Sequence, residues 1–476
     1  MRECLLLVDF GSTFTKLCLV ERATGRYVDS LQTPTTVQTD ITVGYRIAAE
    51  RLLAAWSDVE VNEVLASSSA AGGLGLVAIG LVPGLTVEAA RMAALGAGAR
   101  LRGAFSYKLN EDDCREIIAL QPDLILVTGG TDGGNESVLL WNADVLAELP
   151  LDCPILVAGN KVVSGRAEKR LAAAGKQVCR CDNVLPSLDR LNVEPARHEI
   201  RRIFIDHIVR AKGFDRAQQL SGRIIMPTPM AVLRGAEFVS RTIWNGQGVM
   251  VVDVGGATTD VYSIGEGAPS TGNVIRLGLP EPLSKRTVEG DLGIRVNALN
   301  VFNLATTSAD GEPLIDLRGN DVLAEYTRKV STSTEYLPMT EAEREMDVLL
   351  AQAAVRIAAR RHAGRWEKVA IPGGGMATVQ RGKDLSSFGF VVGTGGILAR
   401  NVDAAQDILA GCTLDKRDPW TRLPEAPQLV RDEKYLLYAI GLLSTEDEDA
   451  AAGLVDSSGL ATLAPPRTFL RSATNR

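Results

Sequence analysis

Apolar runs that end in glycine turns punctuate this chain, and the first comes at once. Leu5-Leu6-Leu7-Val8 leads to a polar turn at Gly11-Ser12, and a second strand pattern runs from Lys16 to Val20. The pair reads as a β-hairpin whose turn exposes its backbone. Strand and helix patterns then alternate to about residue 225. Leu124–Val127 is a short apolar strand ending at Gly129-Gly130, Glu136–Leu149 has helical periodicity, and Pro154–Val157 is a further strand. Alternation of this kind predicts a parallel or mixed sheet flanked by helices.

A second half opens with a helical stretch from Met230 to Trp244, stopped by Gly246. Val249–Val254 is the most hydrophobic strand pattern of the chain. It ends in Gly255-Gly256, and a return strand, Asp260–Ile264, follows. The opening hairpin is thus echoed near residue 253, and this is the internal symmetry visible in the sequence. Farther on, Glu341–His362 is a long amphipathic helix, Trp366–Ile371 and Met376–Gln380 flank a glycine turn, and Phe388–Val392 is a buried strand running into Gly393-Thr394-Gly395-Gly396. Lys434–Leu443 reads as a late helix. The expected organisation is one α/β domain over residues 1–225, a second over 226–445, and a flexible tail over 446–476.

Composition narrows the classes without choosing among them. The 476 residues carry a net charge of −7 spread along the chain, with 46% hydrophobic and 23% charged residues, as in an ordinary globular protein. No basic stripe with interleaved aromatics occurs, so no nucleic-acid partner is expected. The uncharged stretch from Val64 to Val87 contains Ser67-Ser68-Ser69, several glycines and Pro83. It reads as buried strands with glycine turns, so no membrane span is expected. Seven scattered cysteines and three distant histidines suggest neither a disulfide framework nor a metal cluster. With no leader pattern before the first strand, the expectation is a cytoplasmic protein with reduced thiols. Oligomeric state is not legible.

The candidate chemistry lies in the two hairpins. In Asp9-Phe10-Gly11-Ser12-Thr13-Phe14-Thr15-Lys16, Gly11 lets backbone N–H groups converge on a phosphate chain. Ser12, Thr13 and Thr15 supply hydroxyl donors, and Lys16 a point cation. Asp9 cannot face phosphate directly, so its expected role is to hold Mg²⁺ through water. Asp253-Val254-Gly255-Gly256-Ala257-Thr258-Thr259-Asp260 repeats the logic, with Asp253 as the second magnesium carboxylate and Gly255, Gly256, Thr258 and Thr259 around phosphate. One strand–Asp–Gly turn is common; two, each leading half of a chain, point to a shared phosphate site. Asp9, Lys16 and Asp253 are the candidate catalytic residues.

These segments resemble the phosphate-1 and phosphate-2 motifs of the actin, Hsp70 and sugar-kinase superfamily. That resemblance implies two ribonuclease-H-like domains with mixed sheets flanked by helices and ATP between them. Pro227-Thr228-Pro229-Met230-Ala231 resembles the helix start of Hsp70-type proteins, except that Thr228 stands where that family has glutamate, which puts fast hydrolysis in doubt. For the adenosine motif two stretches compete, Gly373-Gly374-Gly375 and Gly393-Thr394-Gly395-Gly396. The second is favoured because it follows a buried strand and opens a helix. Two loops keep two readings each. In Thr128–Glu136, Asp132 or Glu136 lines the cleft, or the loop is a strand-to-helix turn capped by Asn135. In Arg286–Gly293, Glu289 reaches the nucleotide or caps a helix.

A finer resemblance covers most of the chain. VDFGSTFTK, TGGTDGGNES, VAGNK, DNVLP, PTPMAVL, VVDVGGATTDVYS, RTVEGDLG and VVGTGGIL are together similar to the accessory protein of glutamate mutase, the MutL-like family unrelated to mismatch-repair MutL. This implies a chaperone-like, slow ATPase that reactivates or assembles an adenosylcobalamin-dependent mutase, whose subunits would be its partners. No Asp-x-His-x-x-Gly cobalamin motif is present, so cobalamin would belong to the partner. Two other functions stay open on the same fold: a small-molecule kinase, and a nucleotide-dependent scaffold without turnover.

Overall fold

The computed structural model describes residues 1–11, 13–35, 41–69, 74–210, 223–269, 272–306, 321–371 and 374–463. Its first half contains strands β1 (Arg2–Phe10), β2 (Phe14–Glu21), β3 (Tyr27–Pro34), β4 (Val59–Ser68), β5 (Gly75–Gly80), β6 (Arg100–Ser106), β7 (Leu124–Val127), β8 (Ile155–Val157), β9 (Val178–Arg180) and β10 (Arg223–Pro227). The second half contains β11 (Val249–Val254), β12 (Thr259–Ile264), β13 (Val274–Leu277), β14 (Ser284–Glu289), β15 (Arg365–Ala370), β16 (Met376–Arg381), β17 (Phe390–Thr394), β18 (Gln428–Asp432) and β19 (Leu460–Thr462).

One topology occurs twice. In the first sheet, ordered β10-β4-β1-β2-β3, strands β1, β2 and β3 are antiparallel, and β4 and β10 continue parallel on the other side of β1. In the second, ordered β14-β12-β11-β17-β18-β19, strands β11, β12 and β14 are antiparallel, and β17 and β18 continue parallel beside β11. Two such mixed sheets make the ribonuclease-H-like pair of the actin, Hsp70 and sugar-kinase fold. Between β4 and β10 the chain builds a separate all-parallel sheet, β6-β5-β7-β8-β9. A small sheet, β13-β16-β15, is added to the second half.

Strand alternation sets which side chains lie between the halves. Cys4, Leu6, Val8 and Phe10 of β1 point into the first half's own core, whereas Leu5 and Leu7 join a second core with Val249, Val251, Tyr262 and Ile264. That shared core is filled by two helices, Thr228–Thr242 and Leu437–Ser444. They cross with almost no spacing. A Cβ added to Gly441 would lie 1.8 Å from the Ala231 carbonyl oxygen, and one on Gly235 2.1 Å from that of Leu437. Both strands of each hairpin are covered on two faces, which is why they read as near-continuous apolar runs.

The tail expected to be flexible from residue 446 is folded as far as Leu463. Asp447 caps a helix, Glu448–Ser458, by accepting the Ala450 N–H at 2.9 Å. The acidic run thus begins a helix with charges suited to its N-terminal end, rather than marking disorder. Gly453 lets this helix settle on the backbone at Thr24 of the first half, and β19 pairs with β18. Residues 464–476 lie outside the described residues. Among the described residues no helix is long and apolar enough to cross a membrane.

Gly441→Val forces the two central helices apart. It is expected to cost about 1–3 kcal/mol or more of stability, read as a lower denaturant midpoint. Gly272→Val, at an exposed turn with open space around it, makes no such clash and is expected to cost less.

Candidate functional site

The two predicted hairpins meet. Odd positions of β1 face the shared layer, so Asp9 continues the row of Leu5 and Leu7; Asp253 likewise continues Val249 and Val251. Cross-strand register places Lys16 opposite Asp9 and Asp260 opposite Asp253. All four residues line one cleft of about 280 Å³ between the halves, together with Gly11, Thr13, Gly255, Gly256, Thr258 and Gly396.

Asp9 is fully buried and held from several sides. Its Oδ1 accepts hydrogen bonds from Ser67 Oγ at 3.0 Å and from Thr228 Oγ1, and its Oδ2 pairs with Lys16 Nζ at 2.8 Å. Thr228, at the position where a glutamate was expected from the Hsp70 resemblance, therefore anchors Asp9. The ammonium of Lys16 lies 3.8 Å from the ring centroid of Tyr435, whose hydroxyl donates to Asp253 Oδ1 at 3.4 Å. Tyr435 thus links one hairpin to the other. Its backbone adopts φ +57°, in the left-handed region, where a non-glycine residue persists only when its surroundings hold it.

Asp253 has fewer partners than Asp9. Burial pushes its carboxyl up to about 7, Lys16 pulls the other way, and the Asp260 and Asp9 carboxylates add to the rise. Beside it, Asp260 accepts from Thr258 Oγ1 at 3.0 Å and from Arg286 Nε and Nη2 at 2.9 and 2.7 Å. Arg286 also donates to the Leu95 carbonyl of the first half at 3.0 Å.

Arg295 sits beside the second hairpin, its backbone N–H donating to the Gly256 carbonyl at 2.9 Å. Arg295 forms a two-pronged pair with Asp347, at 2.9 and 2.6 Å, and donates to the Tyr336 carbonyl at 3.1 Å. Such a fork holds a guanidinium plane in one orientation. Tyr336, Leu337, Pro338, Ile397 and Arg400 line the cleft around it.

Several sequence-predicted residues lie elsewhere. Ser12 and Gly373 fall outside the described residues. Thr15 is fully buried and shares a hydrogen bond with Thr35, Oγ1 to Oγ1, at 3.0 Å; Thr259 is buried and donates to the Leu292 carbonyl. Each neighbours a cleft residue along its strand and so points to the opposite face. Gly393 and Thr394 belong to β17, and the Thr394 hydroxyl donates to Asp432. Gly395, at φ +105°, packs behind Asp253: a Cβ there would meet the Val254 carbonyl oxygen at 2.5 Å. Of that stretch Gly396 reaches the cleft.

The Thr128–Glu136 loop belongs to the inserted parallel sheet, so Asp132 and Glu136 are not in the cleft. Asp132 accepts from Asn183 Nδ2 at 2.9 Å and Lys161 N at 3.0 Å, while Glu136 faces Arg166. The Asn135 side chain accepts the Val138 N–H at 3.1 Å; the capped-turn reading holds for this loop. Glu289 pairs with Arg361 at 2.8 Å and does not line the cleft. Residues that sequence reasoning missed are Ser67, Asp260, Arg286, Arg295, Asp347 and Tyr435. Asp260 carried a signal: it follows Asp253 by the same step that separates Lys16 from Asp9.

Asp253 makes stability depend on pH. With its folded value near 7 and an ordinary carboxylate value when unfolded, the folded state keeps a proton that the unfolded state has lost. Stability from this group is therefore full below about pH 4 and falls through pH 7, by at most about 1.4 kcal/mol per unit. Asp253→Asn is expected to flatten that part of the profile, measured as denaturant midpoints between pH 4.5 and 8.

The family model described as "MutL protein" matches residues 5–458. A relative, Protein MutL of Clostridium tetanomorphum, is 42% identical over 459 residues, covering 95% of this chain and 98% of the relative. Among similar solved structures, a nucleotide-free acetone carboxylase has 14% identity and a TM-score of 0.39, covering 93% of this chain and 70% of that one. A glycerol dehydratase reactivase has 11% identity and a TM-score of 0.35, covering 93% and 99%. The xylulose kinase of Bifidobacterium adolescentis has 13% identity and a TM-score of 0.31, covering 97% and 95%. With the matched family model spanning nearly its whole length, the chain belongs to the MutL protein family.

Proposed function

We propose that this chain binds ATP between its two halves, hydrolyses it slowly, and uses the resulting movement as a chaperone-like accessory to an adenosylcobalamin-dependent mutase. One observation carries the nucleotide reading: two hairpins of equal topology, from opposite halves, present Gly11, Gly255 and Gly256 with Lys16 and Thr258 to a common cleft. The mutase reading comes from the family.

In this reading the triphosphate lies between the hairpin tips and the base elsewhere in the same cleft. Lys16, already fixed by Asp9 and Tyr435, turns its remaining donors to phosphate oxygens. Asp253, with few partners, faces the attacking water and takes its proton. Hydrated magnesium fits the donor set. Among the described residues no group of three or more His, Cys, Asp or Glu can cage a bare metal, and Asp9 and Asp253 would hold the ion through its waters while it shields phosphate charge. A small-molecule kinase would need an aspartate base in the cleft, Asp132 or Asp253, and Asp132 is bound into the inserted sheet. A nucleotide that bridges two halves favours their closed arrangement, and turnover releases it; such a cycle can move a bound mutase subunit.

Asp253→Asn is expected to lower ATP turnover about 100-fold or more while changing ATP affinity less than about tenfold. Lys16→Ala should weaken ATP much more than adenosine, measured by calorimetry. An equal loss of both ligands would defeat the phosphate role of Lys16. For the accessory role, a mutase inactivated by hydroxocobalamin should regain activity when the protein, Mg²⁺-ATP and fresh adenosylcobalamin are added together. Equal recovery without ATP would count against it.

A further inference from the structure

We propose that Arg286 is the positioning residue through which phosphate at the second hairpin is felt by the inserted parallel sheet. The inference rests on the ATP reading above and adds a route of regulation to it.

Arg286 lies on β14, an edge strand of the second half's sheet, and is only 5% exposed. Its donors divide between the halves. Nε and Nη2 bind Asp260 Oδ1, whereas Nη1 binds the Leu95 carbonyl at 3.0 Å and reaches toward the Ala99 carbonyl at 3.5 Å. Leu95 belongs to the last turn of the helix Glu88–Gly96, and its carbonyl also accepts the Gly98 N–H at 3.0 Å, so Arg286 adds a side-chain donor at the negative helix end. Ala99 leads directly into Arg100, the first residue of β6 in the inserted sheet, and Arg100 also lines the cleft. On the other side, Asp260 accepts from the Thr258 hydroxyl at the hairpin tip at 3.0 Å. A continuous set of hydrogen bonds therefore runs from Thr258 through Asp260 and Arg286 to the start of β6. Only a guanidinium has donors enough, in a fixed fork, to satisfy a carboxylate and two carbonyls together.

Phosphate arriving at Thr258 disturbs this set in a defined direction. It competes for the Thr258 hydroxyl and puts negative charge beside a buried cation whose carbonyl contacts are its weaker ones. The guanidinium is drawn toward the cleft, and its hold on Leu95 and Ala99 slackens. The entrance to β6 then opens when ATP is bound and tightens when it is gone. A purely structural staple would instead stabilise the helix end equally with and without nucleotide.

Hydrogen exchange followed by mass spectrometry on the full chain tests this, with ATP binding measured in parallel by calorimetry. In the unaltered protein, amides of residues 95–106 are expected to exchange at least threefold faster with Mg²⁺-ATP. With each protein compared at an ATP concentration that calorimetry shows to saturate it, the difference should be lost in Arg286→Met and should shrink in Arg286→Lys. If Arg286→Met does not fold, Arg286→Lys and Asp260→Asn carry the test. Persistence of the full difference in a variant that binds ATP overturns the inference, as does its absence from an unaltered protein that binds ATP. Failure of the unaltered protein to bind ATP at all is visible in the calorimetry and defeats the nucleotide reading, this inference with it.

Discussion

Everything in the cleft depends on how closely two helices cross at the centre of the molecule. Thr228–Thr242 and Leu437–Ser444 meet where Gly235 and Gly441 leave room for backbone against backbone. That contact fixes the thickness of the layer between the two mixed sheets. Were it wider, Asp9 and Asp253 would still point inward, but Tyr435 could not touch both Lys16 and Asp253. The helix that begins at Thr228 also delivers a hydroxyl to Asp9, so one element sets both the spacing of the halves and the orientation of the first carboxylate.

The hairpins are alike in backbone and unlike in charge. Each has an aspartate at the end of an apolar strand, and its cross-strand partner is Lys16 in one and Asp260 in the other. The first hairpin is thus internally paired. The second is not, and its surplus negative charge is met by Arg286 from the adjacent strand. Burial without a strong cation partner leaves Asp253 with the raised proton affinity. Desolvation, with Asp260 rather than a lysine across the strand pair, raises the proton affinity of this half-buried carboxylate, which suits the proposed general-base role.

Much of this was legible in the sequence because both hairpins combine a near-continuous apolar run with an aspartate and a glycine turn. The helices Glu341–His362 and Ser137–Glu148 were legible from periodicity. Errors arose where side-chain direction mattered. Thr15 and Thr259 are the right residue type at the right distance, but each sits one position off the inward face. The Thr128–Glu136 loop looked like a phosphate loop; nothing local says that β7 joins a separate sheet, since strand pairing is a long-range property. Arg286, Arg295 and Tyr435 act from segments far along the chain, and the left-handed backbone of Tyr435 leaves no mark in a sequence without glycine at that position.

Thr228 deserves its place in the charge balance of the cleft. Around the two hairpins three carboxylates, Asp9, Asp253 and Asp260, already face two cations, Lys16 and Arg286. A glutamate at 228 would add a fourth negative group to a site that must also accept a polyanion, and burying an unpaired charge is costly. Threonine instead supplies a donor, which satisfies Asp9 and lowers the charge opposing the phosphates. The substitution removes a group suited to orienting water and favours binding over turnover. On the proposed ATP reading, that exchange favours slow hydrolysis with nucleotide held for long periods, as would suit an accessory that holds a partner in an altered state.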